Sequence, residues 1–262
     1  MKIACVQRDE RRCWAVVEGA VVEPIAGEPF GGCQRTGEQW SLSEVRLLPP
    51  VEPRQIVAIG LNYGEHAREG GKEVPKAPLV FIKTANTVIG PDEAIVLPEM
   101  APAEVDYEAE LVVVIGKQAK EVSVAEARDY VLGYTCGNDV SARDCQMRLD
   151  RQWARAKCFD TFGPLGPWIE TELDPSRCDI RSTLNGQVMQ ESNTSDMVFS
   201  CEELVSYVSH CMTLYPGSVI FTGTPAGVGC TREPAVFLRA GDVITVEIEG
   251  IGCLSNRVEG AG

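Results

Sequence analysis

Short apolar runs separated by glycine and proline dominate the start of the chain. Strand-like runs cover residues 3–6, 14–17 and 20–22, and a stretch with three prolines, 47–53, follows them. Such runs, bounded by turn-forming residues, are typical of strands. The pattern therefore predicts a small β-rich N-terminal domain over residues 1–50, joined by a linker to the rest of the chain.

The rest of the chain, residues 51–262, also favours strands over helices. Apolar or alternating runs predict seven strands, at 55–60, 79–83, 106–116, 131–136, 219–222, 243–248 and 252–258. Helices are predicted at 63–70, at 125–130 with Ser123 as N-cap, and at 200–210. Strands and helices do not alternate regularly, which argues against a doubly wound parallel sheet. We expect one β-rich α+β catalytic domain here.

The composition narrows the possible partners. The 262 residues carry a net charge of −14, and no Lys/Arg-rich stretch interrupts the acidic background. Binding to nucleic acid or an anionic membrane needs a basic surface, so neither is expected. The sequence starting at Met1 shows no signal-peptide pattern and no apolar run reaches about 18 residues, which predicts a cytoplasmic protein. An anionic substrate would then need locally concentrated positive charge.

Eleven scattered cysteines are the oddest feature of the composition. No Cys-x-x-Cys pair occurs, and the chain has only two histidines. Zinc and iron–sulfur sites are therefore poorly supported. We expect free, mostly buried thiols, with a secreted, disulfide-bonded protein as the weaker alternative.

Two acidic residues open the most apolar strand. Glu108 and Glu110 alternate with Ala109, so both side chains project to the same side of a strand. Two adjacent like charges repel, and a hard divalent cation would relieve that repulsion. A solvated strand end is the alternative.

Asp139 follows the predicted strand 131–136 and could complete a three-carboxylate site. Its alternative is an ordinary turn aspartate. The residues after it include Arg143, Gln146 and Lys157, which bring cationic and amide donors close in sequence to the acidic group. These donors supply the local positive charge that an anionic substrate requires.

His66 and Glu69 are three residues apart in a predicted helix. They would lie on one face, where a carboxylate-oriented imidazole can act as a general base. A surface His–Glu pair is the alternative. The other histidine, His210, is expected to lie on a helix face without a catalytic role.

A glycine-rich segment follows the strand at 219–222. The amides around Gly223 and Thr224 could cradle a carboxylate or phosphate, whereas a plain turn is the alternative. The segment lacks the Lys-Ser/Thr ending of a P-loop, so nucleotide binding is not supported.

Together these segments resemble the fumarylacetoacetate hydrolase family from about residue 55 to 258. The resemblance rests on motifs in the family's order and spacing: GLNY with His66 and Glu69, DYEAE at 106–110, NDVSARD at 138–144, AKCFD at 156–160, LNG at 184–186 and TGTPAGVG at 222–229. Departures are small: KTAN at 83–86 replaces the usual KPSS, and Cys158 stands where Ser or Gly is frequent.

The resemblance implies a mixed β-sandwich roll of the family's C-terminal type, preceded by the small β-rich domain, and usually a homodimer. It implies Mg or Mn on Glu108, Glu110 and Asp139. It further implies a water-activating pair of His66 and Glu69, and Lys157 as the cation for developing negative charge. Four residues are implied to line the substrate site, namely Arg143, Gln146, Gly223 and Thr224.

Three reactions fit this site. The preferred hypothesis is hydrolysis of a C–C bond in an acylpyruvate-type 2,4-dioxo acid, because both His66 and Glu69 are present. The alternative is decarboxylation or isomerisation of a related dicarboxylic acid, such as oxaloacetate or a 2-hydroxydiene-dioate of aromatic catabolism. All three stabilise an enolate in one site. A non-catalytic member of the family is the remote third possibility.

Overall fold

The computed structural model describes residues 1–260, so the last two residues of the predicted catalytic domain lie outside the described part. Most of the chain forms strands. The N-terminal residues contribute five of them: β1 (Lys2–Arg8), β2 (Arg11–Glu18), β3 (Val21–Pro24), β4 (Trp40–Ser41) and β5 (Arg46–Leu48). Leu47 and Leu48, expected in the linker, belong to β5 because this strand pairs with β1.

Fourteen further strands follow in the catalytic region: β6 (Ile56–Gly60), β7 (Leu79–Lys83), β8 (Val88–Ile89), β9 (Ala94–Val96), β10 (Val105–Asp106), β11 (Ala109–Ile115), β12 (Val131–Asn138), β13 (Ser141–Ala142), β14 (Gly163–Glu170), β15 (Asp179–Leu184), β16 (Gln187–Asn193), β17 (Val219–Phe221), β18 (Val243–Ile248) and β19 (Gly252–Glu259). The β-rich α+β class predicted from the sequence is confirmed.

The strands form three sheets. The largest runs β4-β3-β2-β1-β14-β12-β11-β17-β6-β7, with β5 also on β1 and β8 on β14. A five-stranded sheet runs β16-β15-β18-β19-β9, and β10 pairs with β13 alone. The N-terminal strands thus extend the catalytic sheet through the antiparallel β1–β14 pair.

Strand β11 lies near the centre of the large sheet and is buried on both faces. Leu111 and Val113 belong to the core between the two large sheets, whereas Val112 and Val114 belong to the core on the opposite face. This alternation is the period of two that the sequence shows. Because β11 is buried on both faces, charged residues at its start lie inside the protein.

Helices are few and short. They are α1 (Gly64–Glu69), α2 (Ala154–Lys157) and α3 (Cys201–Cys211), with a π-helical turn at Cys145–Leu149. Helix α3 begins with a capping box between Ser200 and Glu203. No helix within residues 1–260 is long and apolar enough to cross a membrane.

The prediction of an α-helix at 125–130 was wrong. The structure has a four-residue 3₁₀ turn, Ala127–Tyr130, without a side-chain cap. Ser123 donates its hydroxyl hydrogen bond to the Glu126 carboxylate instead of capping a backbone amide. Only Ala127 of the predicted segment is buried, so the segment has no apolar face to pack a longer helix against the core.

Candidate metal and substrate site

Three carboxylates meet where β11 and β12 pair. Glu110 lies on β11, Glu108 precedes that strand, and Asp139 follows β12. The Asp139 amide donates to the Glu108 carbonyl at 2.9 Å, which brings the ends together. One carboxylate oxygen from each residue lies within 4.8 Å of the others. All three are at most 5 % exposed, so the solvated strand end and the ordinary turn aspartate are both excluded.

Gly137 allows this close approach of strands. It pairs with Glu110, and a Cβ atom there would lie 2.5 Å from Val112 Cγ2 and 2.7 Å from a ring carbon of Phe221. The next residue, Asn138, accepts the Glu108 amide hydrogen bond at 3.0 Å through its side chain. The segment before Asp139 therefore sets the position of Glu108 as well.

Two lysines occupy the space among the carboxylates. Lys157, at the end of α2, lies with Nζ 2.6 Å from both Glu108 Oε2 and Asp139 Oδ2. Lys83, at the end of β7, lies with Nζ 2.7 Å from Asp139 Oδ1 and donates to the Lys157 carbonyl at 2.6 Å. We call Lys83, Glu108, Glu110, Asp139 and Lys157 the charge cluster.

The charge cluster shifts the pKa values of Glu108 and Glu110 in opposite directions. Burial opposes ionisation of Glu108, but the charges of Lys157 and Arg143 outweigh it and hold its pKa below the usual range. Burial raises the pKa of Glu110 well above the usual range, and the charges of Asp139 and Glu108 raise it further. Glu110 accepts a hydrogen bond from the Gly223 amide at 2.7 Å, but no ion pair within residues 1–260 reaches it.

A divalent cation fits this arrangement. The donors are all carboxylate oxygens, which favours a hard cation over zinc or iron. The Lys157 ammonium already stands as a cation between two of the three donors. A cation beside Glu110 would relieve the charge repulsion that raises its pKa. The cluster can therefore hold a divalent metal, with Glu108, Glu110 and Asp139 as ligands.

Arg143 is held beside the cluster by a buried partner. Its Nε donates to Asp106 Oδ2 at 2.8 Å, and its Nη2 lies 2.7 Å from Glu108 Oε1. Asp106 also accepts from the Gly229 and Cys230 amides, at 2.7 and 3.0 Å. Arg143 Nη1 donates to Gln146 at 2.7 Å, which connects two of the predicted substrate residues.

His66 faces the same space from α1. Burial lowers its pKa, although the Glu108 and Glu69 charges oppose that change. His66 Nδ1 lies 3.5 Å from Glu69 Oε2 and has no hydrogen-bond partner. Glu69 instead accepts the Gly227 amide through both carboxylate oxygens at 3.1 Å. The structure thus places the two residues adjacent without a hydrogen bond between them.

One cavity of about 410 Å³ joins these groups. It is lined by His66, Lys157, Arg143, Gln146, Thr224 and the three carboxylates, together with Ile59, Gly60, Leu61, Gly70, Lys72, Phe81, Met147, Trp153, Cys230 and Thr231. The structure places two predicted residues differently: Gly223 lies behind Glu110 as a hydrogen-bond donor, and Glu69 does not line the cavity. The volume suits a small organic acid.

Sequence reasoning missed two residues of the site. Lys83 ends an apolar strand, where a charge is usually taken to mark the exit to solvent, yet it is 2 % exposed. Asp106 is fully buried four residues before Glu110. A lysine closing an apolar run and a third acid in the DYEAE motif were the available signals.

The cysteines are free, as predicted, but only five of the eleven are buried. Cys230 lines the cavity, and burial raises its pKa to about 12. Its thiol therefore stays protonated at neutral pH, which makes it a poor nucleophile.

Comparison with known proteins finds two matching family models and several similar proteins. Residues 55–259 match the family model "Fumarylacetoacetate (FAA) hydrolase C-terminal", and residues 1–50 match "Rv2993c-like, N-terminal". The chain is 46 % identical to the mitochondrial oxaloacetate tautomerase Fahd2a of Rattus norvegicus, covering 82 % of this chain and 70 % of that one.

Two solved structures cover this whole chain. The 5-carboxymethyl-2-hydroxymuconate delta-isomerase from Mycobacterium smegmatis is 43 % identical, with a TM-score of 0.91 and all of its own chain covered. The 2-hydroxyhepta-2,4-diene-1,7-dioate isomerase from Mycobacterium marinum is 41 % identical, with a TM-score of 0.91 and 99 % of its chain covered.

Proposed function

This chain belongs to the fumarylacetoacetate hydrolase family, and from that premise we propose that it is a metal-dependent isomerase of a 2-oxo dicarboxylic acid. The reaction moves a proton between carbon and oxygen, or between two carbons, of an enolisable diacid. This is the alternative among the sequence-based hypotheses, and the similar tautomerase and isomerases support it better than C–C hydrolysis.

The observation that carries the proposal is the position of His66, without a hydrogen bond to Glu69. His66 lines the same cavity as the carboxylates, and burial lowers its pKa, which favours the neutral form. A neutral imidazole can take a proton from a carbon next to a carbonyl without further activation. Water activation for hydrolysis relies on Glu69 to orient the ring, but Glu69 hydrogen-bonds Gly227 instead. Proton transfer therefore requires fewer correctly oriented groups in this site than hydrolysis does.

Each residue then has a distinct role in the proton transfer. His66 takes the proton from the carbon adjacent to the keto group; the C–H electron pair becomes the new C=C bond, and the carbonyl π pair moves to oxygen. Lys157 has three N–H donors, of which two meet Glu108 and Asp139, so the third can donate to that oxygen. His66 then gives the proton to the enolate oxygen or, in a conjugated diacid, to the far carbon of the extended enolate, which completes the isomerisation.

Glu108, Glu110 and Asp139 would hold the cation, which we propose to be Mg or Mn. When bound, the cation supplies Lewis-acid stabilisation of the negative charge that develops on the substrate oxygen. The buried site contains four acidic side chains, namely Asp106, Glu108, Glu110 and Asp139, and three cationic ones, namely Lys83, Arg143 and Lys157. When all of them are ionised, one net negative charge remains. A divalent cation reverses that sign, which suits an anionic substrate.

An assay with two readouts tests the proposal. Metal-free protein, and protein with Mg or Mn restored, is given oxaloacetate and a 2-hydroxydiene-dioate, with keto–enol conversion followed by ultraviolet absorbance. In parallel, acylpyruvates are tested for release of pyruvate. We expect metal-dependent isomerisation, and a loss of at least 100-fold in His66→Gln but not in His210→Gln.

The proposal fails if pyruvate release from acylpyruvates is the faster reaction and His66→Gln abolishes it while isomerisation is unaffected. The histidine control is suitable because His210 lies on α3 and its ring contacts the Ser206 carbonyl, outside the cavity lining. Assembly as a homodimer, a cytoplasmic location and the absence of nucleic-acid and membrane partners stay predictions from the sequence.

A further inference from the structure

Lys72 projects from a hydrogen-bonded turn that follows α1. The Lys72 amide donates to the Ala67 carbonyl at 2.9 Å, and the Gly71 amide donates to the Arg68 carbonyl at 3.0 Å. With Gly71 at φ +62°, these bonds form a Schellman motif, in which a left-handed residue ends the helix. The motif ends α1, which carries His66, and so fixes the backbone of Lys72 relative to His66.

Lys72 also differs from the other cations that line the cavity. Lys157 and Arg143 each lie within 2.7 Å of Glu108. The lysines that form ion pairs within residues 1–260 are Lys83, Lys120 and Lys157. Lys72 lines the cavity, forms no ion pair within residues 1–260 and is exposed to solvent. Its charge is therefore available to a ligand.

A dicarboxylate substrate needs such a charge. Its reacting end would lie among the charge cluster and Arg143, whose positive groups already face protein carboxylates. Its distal carboxylate would otherwise lie near the lining side chains Phe81, Met147 and Trp153, which offer it no opposite charge.

We propose that Lys72 is the subsite for the distal carboxylate and so selects 2-oxo dicarboxylic acids over monocarboxylic ones. This inference deepens the proposed function and rests on it for the identity of the substrate class. The turn that carries Lys72 ends the helix that carries His66, so a bound distal carboxylate would help to hold the base over the reacting carbon.

A pair of unreactive ligands tests the subsite apart from catalysis. Malate and lactate are both 2-hydroxy acids, and only malate has a distal carboxylate; neither has the keto group needed for the proposed isomerisation. Calorimetric titration of the Mg-loaded full chain gives the ratio of their affinities. We expect the wild-type protein to bind malate at least tenfold more tightly, the size of one charge-assisted hydrogen bond.

Three lysine variants and one glycine variant make the test specific. Lys72→Met should reduce the malate preference about tenfold while lactate binding is unchanged, and Lys72→Arg should retain the preference. Lys76→Met, an exposed lysine four residues on that does not line the cavity, should match the wild type. Gly71→Ala should weaken the preference although Lys72 is present, because φ +62° strains a residue with Cβ.

The subsite is refuted if the wild type shows no malate preference, if Lys72→Met retains it, or if Lys76→Met loses as much. Circular-dichroism melting of each variant shows whether it is folded. If the wild type fails to isomerise diacids but shows a malate preference that depends on Lys72, the proposed function is wrong and the subsite stands.

Discussion

The charge cluster and the α1 segment, residues 64–72, face the same cavity but are built differently. The cluster is attached to β7, β11, β12 and α2, and four of its five charges have an oppositely charged atom within 2.7 Å. In the α1 segment, the His66 ring nitrogen Nδ1 is buried without a hydrogen-bond partner. Charges are thus held by paired strands, whereas the base is held by a short helix.

The α1 segment depends on its anchors. Six residues are too few for a helix to be stable alone. The Glu65 amide donates to Asp196 Oδ2 at 3.0 Å, and Glu69 accepts from Gly227 at 3.1 Å. The strand-borne cluster thus sets the charge of the site, whereas the position of the base depends on these two hydrogen bonds to distant residues.

The largest effect is expected from breaking the cluster at Lys83. Lys83→Met leaves Asp139 with one cation in place of two, and removing a partner from a buried ion pair costs about 3 kcal/mol of unfolding free energy. Urea denaturation measures the change. Lys120→Met, which removes an exposed ion pair, should stay within about 0.5 kcal/mol of the wild type. Equal losses in both variants would show that burial of the cluster is unimportant.

A smaller effect on the isomerisation rate is expected at low pH, where His66 on α1 becomes protonated. Burial lowers the pKa of His66, with Arg143 acting in the same direction and Glu108 and Glu69 opposing. The neutral base is then retained below pH 6.5 and lost as the pH falls through the lowered value. The isomerisation rate should decline about tenfold per unit only on that acidic limb.

The lowered pKa of His66 also sets how the stability of the fold depends on pH. A histidine with a lowered folded-state pKa stabilises the fold above its unfolded pKa, and this contribution is lost as the pH falls through the folded value. His66→Gln should remove that part of the pH dependence of unfolding. A rate that begins to fall above pH 7 would contradict the lowered pKa.

The smallest effect is expected from Glu69→Gln. The amide oxygen of glutamine can still accept from Gly227, and His66 loses no hydrogen bond. The isomerisation rate constant should fall less than about fivefold, similar to Glu65→Gln on the exposed side of α1. A fall of 100-fold or more would mean that Glu69 orients His66 during the reaction, as C–C hydrolysis requires.

Local sequence patterns nominated the carboxylates, and the family resemblance was needed to choose the metal site over a solvated strand end and a turn aspartate. The alternation of Glu108 and Glu110 along a strand, with Asp139 after the next one, is the local signal, and the structure joins the three through the antiparallel β11–β12 pair. The same alternation identified the two faces of β11. These features depend on residues close in sequence.

Features that depend on distant pairs were missed. Lys83 meets Asp139 across 56 residues, and Asp106 meets the Gly229 amide across 123 residues. The local signals, a lysine closing an apolar run and a third acid in the DYEAE motif, do not identify the partner, because one charge at a strand end has the same sequence signature whether it meets solvent or a partner. The separation of Glu69 from His66 was missed for the same reason, since Gly227 competes for the carboxylate from another loop.

Gly137 has a consequence for how this protein tolerates inherited variation. A single change to alanine or serine would push β12 away from Val112 and Phe221, and with it Asp139, which we propose as a metal ligand. Gly137 does not line the cavity, yet natural alleles altered there should be as rare as those that lose a carboxylate.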